Sequence, residues 1–160
     1  MSSDVPLSVP SGTNAETFGR DGWANGTAND FSATTGFEQN LLGPLRRLDA
    51  ADLENLVFVV TDVHCAISIR YDLDADGDDD RLVFHEFISG PMVAGKLPKP
   101  PGLDPTLEPT RLYAEADLFN FGYYRLERRP DGNIHFLADV RDETGEVRAG
   151  SSADLVPQAE

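Results

Sequence analysis

Leu56-Val-Phe-Val-Val60 is a run of five apolar residues, three of them valines, with polar residues on both sides. A run this short and this rich in β-branched side chains reads as a strand covered on both faces, not as a helix. Such a strand requires a layered fold, with helices or a second sheet packed against it. Thr61-Asp62-Val63-His64 follows at its C-terminal end. In an extended chain residues two apart point to one side, so Asp62 and His64 should project together. Strand ends of layered α/β folds are where ligands bind. A carboxylate beside an imidazole can hold a transition metal or act as an acid–base pair, and a hydrogen-bonded Asp–His pair is the plainer alternative.

The rest of the chain supplies the layers. Phe37, Leu41, Leu42, Leu45 and Leu48 recur at helical spacing behind Thr35 and Glu38, which have the spacing of a capping box. Gly43 and Pro44 predict a kink, or a helix that starts near Pro44. Strands are predicted at 66–71, 82–88, 119–126 and 134–140, with a last short one through Val147. The tight turns are 129–133 and 142–145. Residues 89–110 read as a long connection. The fold class is α/β (α+β), with a mixed sheet and a strand-rich C-terminal half. Residues 1–33, rich in Gly, Ser, Thr, Asn and Pro, read as an irregular N-terminal segment before a domain at 34–157. Trp23 in that segment needs an apolar surface to pack on, and it is open whether Asp21, Trp23 and Asn25 approach the site.

The 160 residues carry 28 acidic and 13 basic side chains, a net charge of −15, which disfavours nucleic acid and anionic membrane surfaces as partners. Only Lys96 and Lys99 are lysines, and abundant Asp with scarce Lys is the surface expected of a protein from high salt. No apolar stretch approaches the roughly 18 residues that span a bilayer, so no transmembrane segment is expected. Residues 1–7 contain no basic-then-apolar leader.

Asp72, Asp74, Asp76 and Asp78, with Gly77, resemble the front of a calcium loop. The position that should hold a bidentate Glu is Val83, which leaves a weak calcium site or a solvated acidic hairpin tip. The single cysteine, Cys65, should face away from His64 and pack as a small core residue. His85 and His135 lie in apolar strand patterns and read as structural. The role of Glu86, beside His85, is open. There is no Gly-rich phosphate loop, no G-x-S-x-G and no C-x-x-C.

Six segments in order form a pattern: 2–10, Gly19-Arg-Asp-Gly-Trp-Ala-Asn-Gly26, Leu56-Val-Phe-Val-Val-Thr-Asp-Val-His64, Glu86-Phe-Ile-Ser-Gly-Pro-Met-Val-Ala-Gly95, Leu103-Asp-Pro-Thr-Leu-Glu-Pro109 and Phe119-Asn-Phe-Gly122. This pattern resembles the C-terminal half of the alkaline phosphatase D (PhoD-like) family of metallophosphatases, over nearly the whole chain. The resemblance implies two packed β-sheets flanked by helices, and hydrolysis of phosphate monoesters and diesters with metal ions, iron with calcium. It implies that Asp62 and His64 are metal ligands. Thr61 stands where the family commonly has Gly. The family's other ligands lie on G-D-x-x-D-Y-like and G-N-H-E-like motifs of an N-terminal half, which have no counterpart here. The expectation is therefore half of a hydrolase, with a separate N-terminal half as partner and extracytoplasmic placement dependent on a leader from that half. Alone it should bind metal weakly and be poorly stable or self-associate. The alternative is an inactive remnant, or a calcium-binding β-rich module without enzymatic activity.

Overall fold

The computed structural model describes residues 1–10, 23–24, 37–53, 55–77 and 80–157, apart from the Gln39 side chain. Thr35, Asp21, Asn25 and Asp78 lie outside the described residues. The elements are β1 (Ser2–Ser3), α1 (Glu38–Asp49), β2 (Leu56–Val60), β3 (Ala66–Leu73), β4 (Leu82–Ile88), a short 3-10 helix (Pro105–Leu107), β5 (Thr110–Glu115), β6 (Asn120–Arg128), β7 (Ile134–Asp142) and β8 (Ala153–Leu155). They form a mixed α+β fold with two sheets.

The first sheet has five strands in the order β1-β2-β4-β3-β5, and the second has three in the order β6-β7-β8. β2 and β4 run parallel, from Leu56 opposite Phe84 to Val60 opposite Ile88. β3 is antiparallel to both β4 and β5. Alternation along β4 divides the first sheet's faces. Phe84 and Ile88 join the core with Leu41, Leu42 and Leu45 of α1 and with Leu7 and Val9 of the N-terminal stretch. Phe87, on the opposite face, meets Tyr124 of β6 and Phe136 of β7, with ring centroids 6.1 and 5.8 Å away. The molecule is thus a helix and an N-terminal strap, then a mixed sheet, then a small antiparallel sheet.

Several expectations change. β2 is fully buried on one face only: Phe58 and Val60 are buried, while Val57 and Val59 are half-buried. Their face opens on a cleft of about 630 Å³, lined also by Val83, His85, Leu126, Ile134, Phe136 and Leu155. β2 lies next to the sheet's edge, and the three-stranded sheet does not close over it. α1 begins at Glu38 with Phe37 as an N-cap that makes no side-chain capping bond, and it runs through Pro44. Glu38 is buried. The last strand is Ala153–Leu155, while Val147 makes only an isolated bridge to Arg141. β5 falls where no strand was expected. The N-terminal stretch also belongs to the core: Leu7 and Val9 are buried, and Trp23 packs on the cluster while its Nε1 donates to Ser3 Oγ at 3.2 Å.

Candidate functional site

Two parallel strands that end side by side leave a crevice where their following loops part. β2 and β4 end this way. The Ser89 amide donates to the Val60 carbonyl at 3.2 Å, which carries the pairing just past the strands. Beyond that point Thr61-Asp62-Val63-His64 turns one way and Ser89-Gly90-Pro91 the other. The crevice between them, about 380 Å³, is lined by Thr61, Asp62, His64, Ser89, Gly90, Met92, Asn120 and Gly122, among others.

The D-x-H segment is not extended, which corrects the geometry expected of it. Asp62 has φ 78° and His64 φ 57°, both in the left-handed region, and the Val63 amide donates to the Thr61 carbonyl at 3.1 Å. The strand ends at Val60 and the chain coils tightly. Val63 and Cys65 are nevertheless buried while Asp62 and His64 are exposed, so the apolar side chains anchor the coil and the two polar ones face the crevice. Among the described residues, neither the Asp62 carboxylate nor the His64 ring has a hydrogen-bond or ion-pair partner. Cys65 is fully buried, and burial pushes its thiol up to about 11, which removes it as a nucleophile.

The opposite wall is held by Asn120, which is almost completely buried. Its side-chain amide donates to the Gly90 and Leu118 carbonyls at 2.9 and 3.2 Å, and its side-chain oxygen accepts from the Gly90 amide at 2.8 Å. Its backbone amide donates to the Pro91 carbonyl at 2.9 Å. One side chain thus fixes the loop after β4 to the start of β6. Gly122 completes the wall, because a Cβ there would meet the Tyr124 hydroxyl.

The acidic hairpin is arranged differently from its sequence pattern. Asp72 belongs to β3 and is held by Arg70 and Arg81 at 2.7 and 2.5 Å; its hydrogen bond to Arg81 does most to lower its pKa. Asp74 and Asp76 gather instead with Asp49, from the last turn of α1, and one ligand oxygen from each lies within 4.8 Å of the others. Asp49 Oδ2 accepts from the Ala75 and Asp76 amides at 2.8 and 3.2 Å, tying the hairpin to the helix. These three carboxylates could hold a metal ion. The hairpin precedes β4 and the crevice follows it, so the two features lie at opposite ends of a seven-residue strand, roughly 20 Å apart.

Two titratable clusters, one buried and one centred on a buried histidine between exposed carboxylates, were not legible in the sequence. The fully buried Glu86 accepts from the Leu7 amide at 2.8 Å and from the Tyr71 hydroxyl, and burial raises its carboxyl to about 7. His135, read as structural without a partner, has Asp154 at 2.6 Å from Nδ1 and Asp131 at 3.0 Å from Nε2. His85 opens on the apolar cleft, and burial lowers its pKa.

Compared with known proteins, the chain matches no family model, no curated protein and no solved structure. Among the described residues no helix is long and apolar enough to cross a membrane.

Proposed function

We propose that the chain is the C-terminal half of a PhoD-like metal-dependent hydrolase of phosphate monoesters and diesters, with Asp62 and His64 as its metal ligands. The observation that carries this reading is their placement. Two exposed donors without partners among the described residues turn into one crevice at the carboxyl end of a parallel strand pair. Both sit in backbone conformations that non-glycine residues rarely hold, and such conformations cluster at functional sites. A carboxylate oxygen and an imidazole nitrogen suit iron and, through the oxygen, calcium.

A bound metal would supply Lewis-acid stabilisation of charge on the phosphoryl oxygens. The protein's own net charge of −15 repels a phosphate ester, so a cation is also needed to admit the substrate. Asp62 and His64 hold that cation, and Asn120 keeps the facing wall in place. Tight sites generally use three or more protein ligands. The others would come from a polypeptide with the G-D-x-x-D-Y-like and G-N-H-E-like motifs, whose leader would set an extracytoplasmic location.

The test combines iron and calcium binding by calorimetry with turnover of nitrophenyl phosphate and bis(nitrophenyl) phosphate. The chain is compared with Asp62→Ala and His64→Ala, with and without the complementing half. Weak iron binding is expected, lost in both variants, with turnover only in the complemented protein. Iron binding unchanged by both substitutions overturns the reading. The second reading, a calcium-binding module without catalysis, is favoured by the Asp49–Asp74–Asp76 cluster. It predicts that calcium raises Tm in the native chain but not in Asp49→Asn, and that neither Asp62 nor His64 matters to any activity.

A further inference from the structure

β8 is held to its sheet by few backbone contacts. Three residue pairs join it to β7: Phe136 with Leu155, Leu137 with Asp154, and Ala138 with Ala153. Just before it, buried Ser151 is anchored, its Oγ accepting from the Val140 amide at 3.0 Å and donating to the Arg148 carbonyl at 2.8 Å. Past that anchor, Leu155, Val156 and Pro157 form one wall of the apolar cleft. Two side chains from outside this stretch fasten Asp154 of β8, Arg129 at 2.8 Å and His135 at 2.6 Å. The His135 ring, 8% exposed, lies between two carboxylates: Asp131 from the β6–β7 turn and Asp154 from β8.

An imidazole has two ring nitrogens, and both are donors only in the protonated form. With a carboxylate on each nitrogen, the imidazolium makes two charge-assisted hydrogen bonds. The neutral ring must turn a lone pair toward one of the two carboxylates. The ring cannot satisfy both partners in that state, and β8 holds one of them. We infer that Asp131, His135 and Asp154 form a proton-controlled latch on β8, closed while the His135 ring carries both protons and loosened when it loses one.

The surrounding charges are consistent with this. The hydrogen bond from His135 and the nearby Arg129, paired with it at 2.8 Å, hold the Asp154 carboxyl below its ordinary pKa, so it stays ionised in either state, and the Arg129 pair keeps a second, exposed hold on β8 when the His135 bond is lost. Asn133 donates to Asp131 through its backbone amide at 3.0 Å. From β6 the register sets Glu127 opposite His135, and Glu127 has Arg125 at 3.9 Å. The described residues place no cation against the ring itself. The hydrogen bonds to Asp131 and then Asp154 raise the His135 pKa from its ordinary 6.5. The latch is thus closed through mildly acidic pH and loosens as pH rises past that raised value, weakening the hold on one wall of the cleft.

The experiment follows the full chain by NMR from pH 5.5 to 9. The His135 ring titration is read beside amide hydrogen exchange of residues 153–155, corrected for intrinsic rates. The expected result is that protection of β8 falls by about tenfold or more along the His135 titration, while the amides of Asn120–Tyr124 keep theirs. In His135→Gln the pH dependence of β8 protection should vanish. In Asp131→Asn, which alters only the more exposed partner, the ring titration and the loss of protection should move together to lower pH. β8 protection that stays flat through the His135 titration overturns the latch. So does a protection midpoint that stays put while Asp131→Asn moves the ring.

Discussion

At Asp62 and His64 the backbone enters the left-handed region, with φ of 78° and 57°. For an L-residue this costs about 1–2 kcal/mol, with Asp near the low end because it is enriched there. Glycine removes the steric cost but adds unfolded-chain entropy of about 0.5–1 kcal/mol. Asp62→Gly should therefore unfold at least as late as the native chain, and Asp62→Ala earlier than Asp62→Gly by about 1 kcal/mol in denaturant titration. Equal stabilities for the two variants would mean that the position is not left-handed in solution. Glu86 sets a pH dependence. Its folded pKa is raised from 4.5 to about 7, so below 4.5 both states are protonated and its contribution is complete. Between these values the unfolded chain has released the proton and the folded chain has not, so stability falls as pH rises. The loss, on the order of 3 kcal/mol, is complete above pH 7. Glu86→Gln should be far flatter between pH 5 and 7.5, and matching slopes for the two proteins would refute the assignment. The Asp62–His64 pair could be read from a three-residue pattern because both members lie in one segment. Glu86 could not, since one of its partners, Leu7, is 79 residues away. Asp154 lies 19 residues from His135, and no spacing rule joins them.

Elements were legible where burial imposes a strong pattern. β2 and β4 begin and end where their apolar runs do. β5 and β8 escaped because little of either is buried: β5 is exposed along its first half, and β8 has three residues. Edge strands take their pairing from neighbours, not from their own composition. α1 shows the opposite case, a helix kept despite its sequence. Pro44 lies within it, has no N–H to offer the Asn40 carbonyl, and is exposed, while Leu41, Leu42 and Leu45 are buried on the core side. Tertiary packing of that face outweighs the local defect. Replacing Pro44 by Ala restores the donor and removes no buried contact, while giving the unfolded chain more freedom. Pro44→Ala should raise unfolding free energy by about 1–2 kcal/mol, since proline costs about 3 kcal/mol in a helix interior. A decrease would mean that the helix is bent around Pro44 in a way its packing requires.

Over the whole molecule, 28 acidic side chains face 13 basic ones, and six of the basic ones are already held in close ion pairs. Arg70, Arg81, Lys96, Arg129, Arg141 and Arg148 all sit in ion pairs of 3.0 Å or less. The carboxylates outnumber all the cations by 15, so the surplus repel one another. Salt acts on both sets of charges. It weakens exposed ion pairs, each of which contributes about 0–1 kcal/mol, and it screens the repulsion of the surplus. The Debye length falls from about 10 Å at 0.1 M to about 3 Å at 1 M, so repulsion between charges on different elements is nearly abolished while close pairs keep part of their attraction. At pH 7.5 the Tm should accordingly rise between 0.1 and 1 M NaCl, by about 2–4 °C for each kcal/mol of repulsion relieved. Hydrophobic strengthening by salt would also raise Tm, and pH separates the two. Near the pI of about 4.4 the net charge is close to zero, leaving only attractive pairs to screen. There the rise should vanish or reverse, whereas a general effect of salt on apolar burial would persist. A Tm rise of equal size at both pH values would show that self-repulsion does not set the stability of this fold.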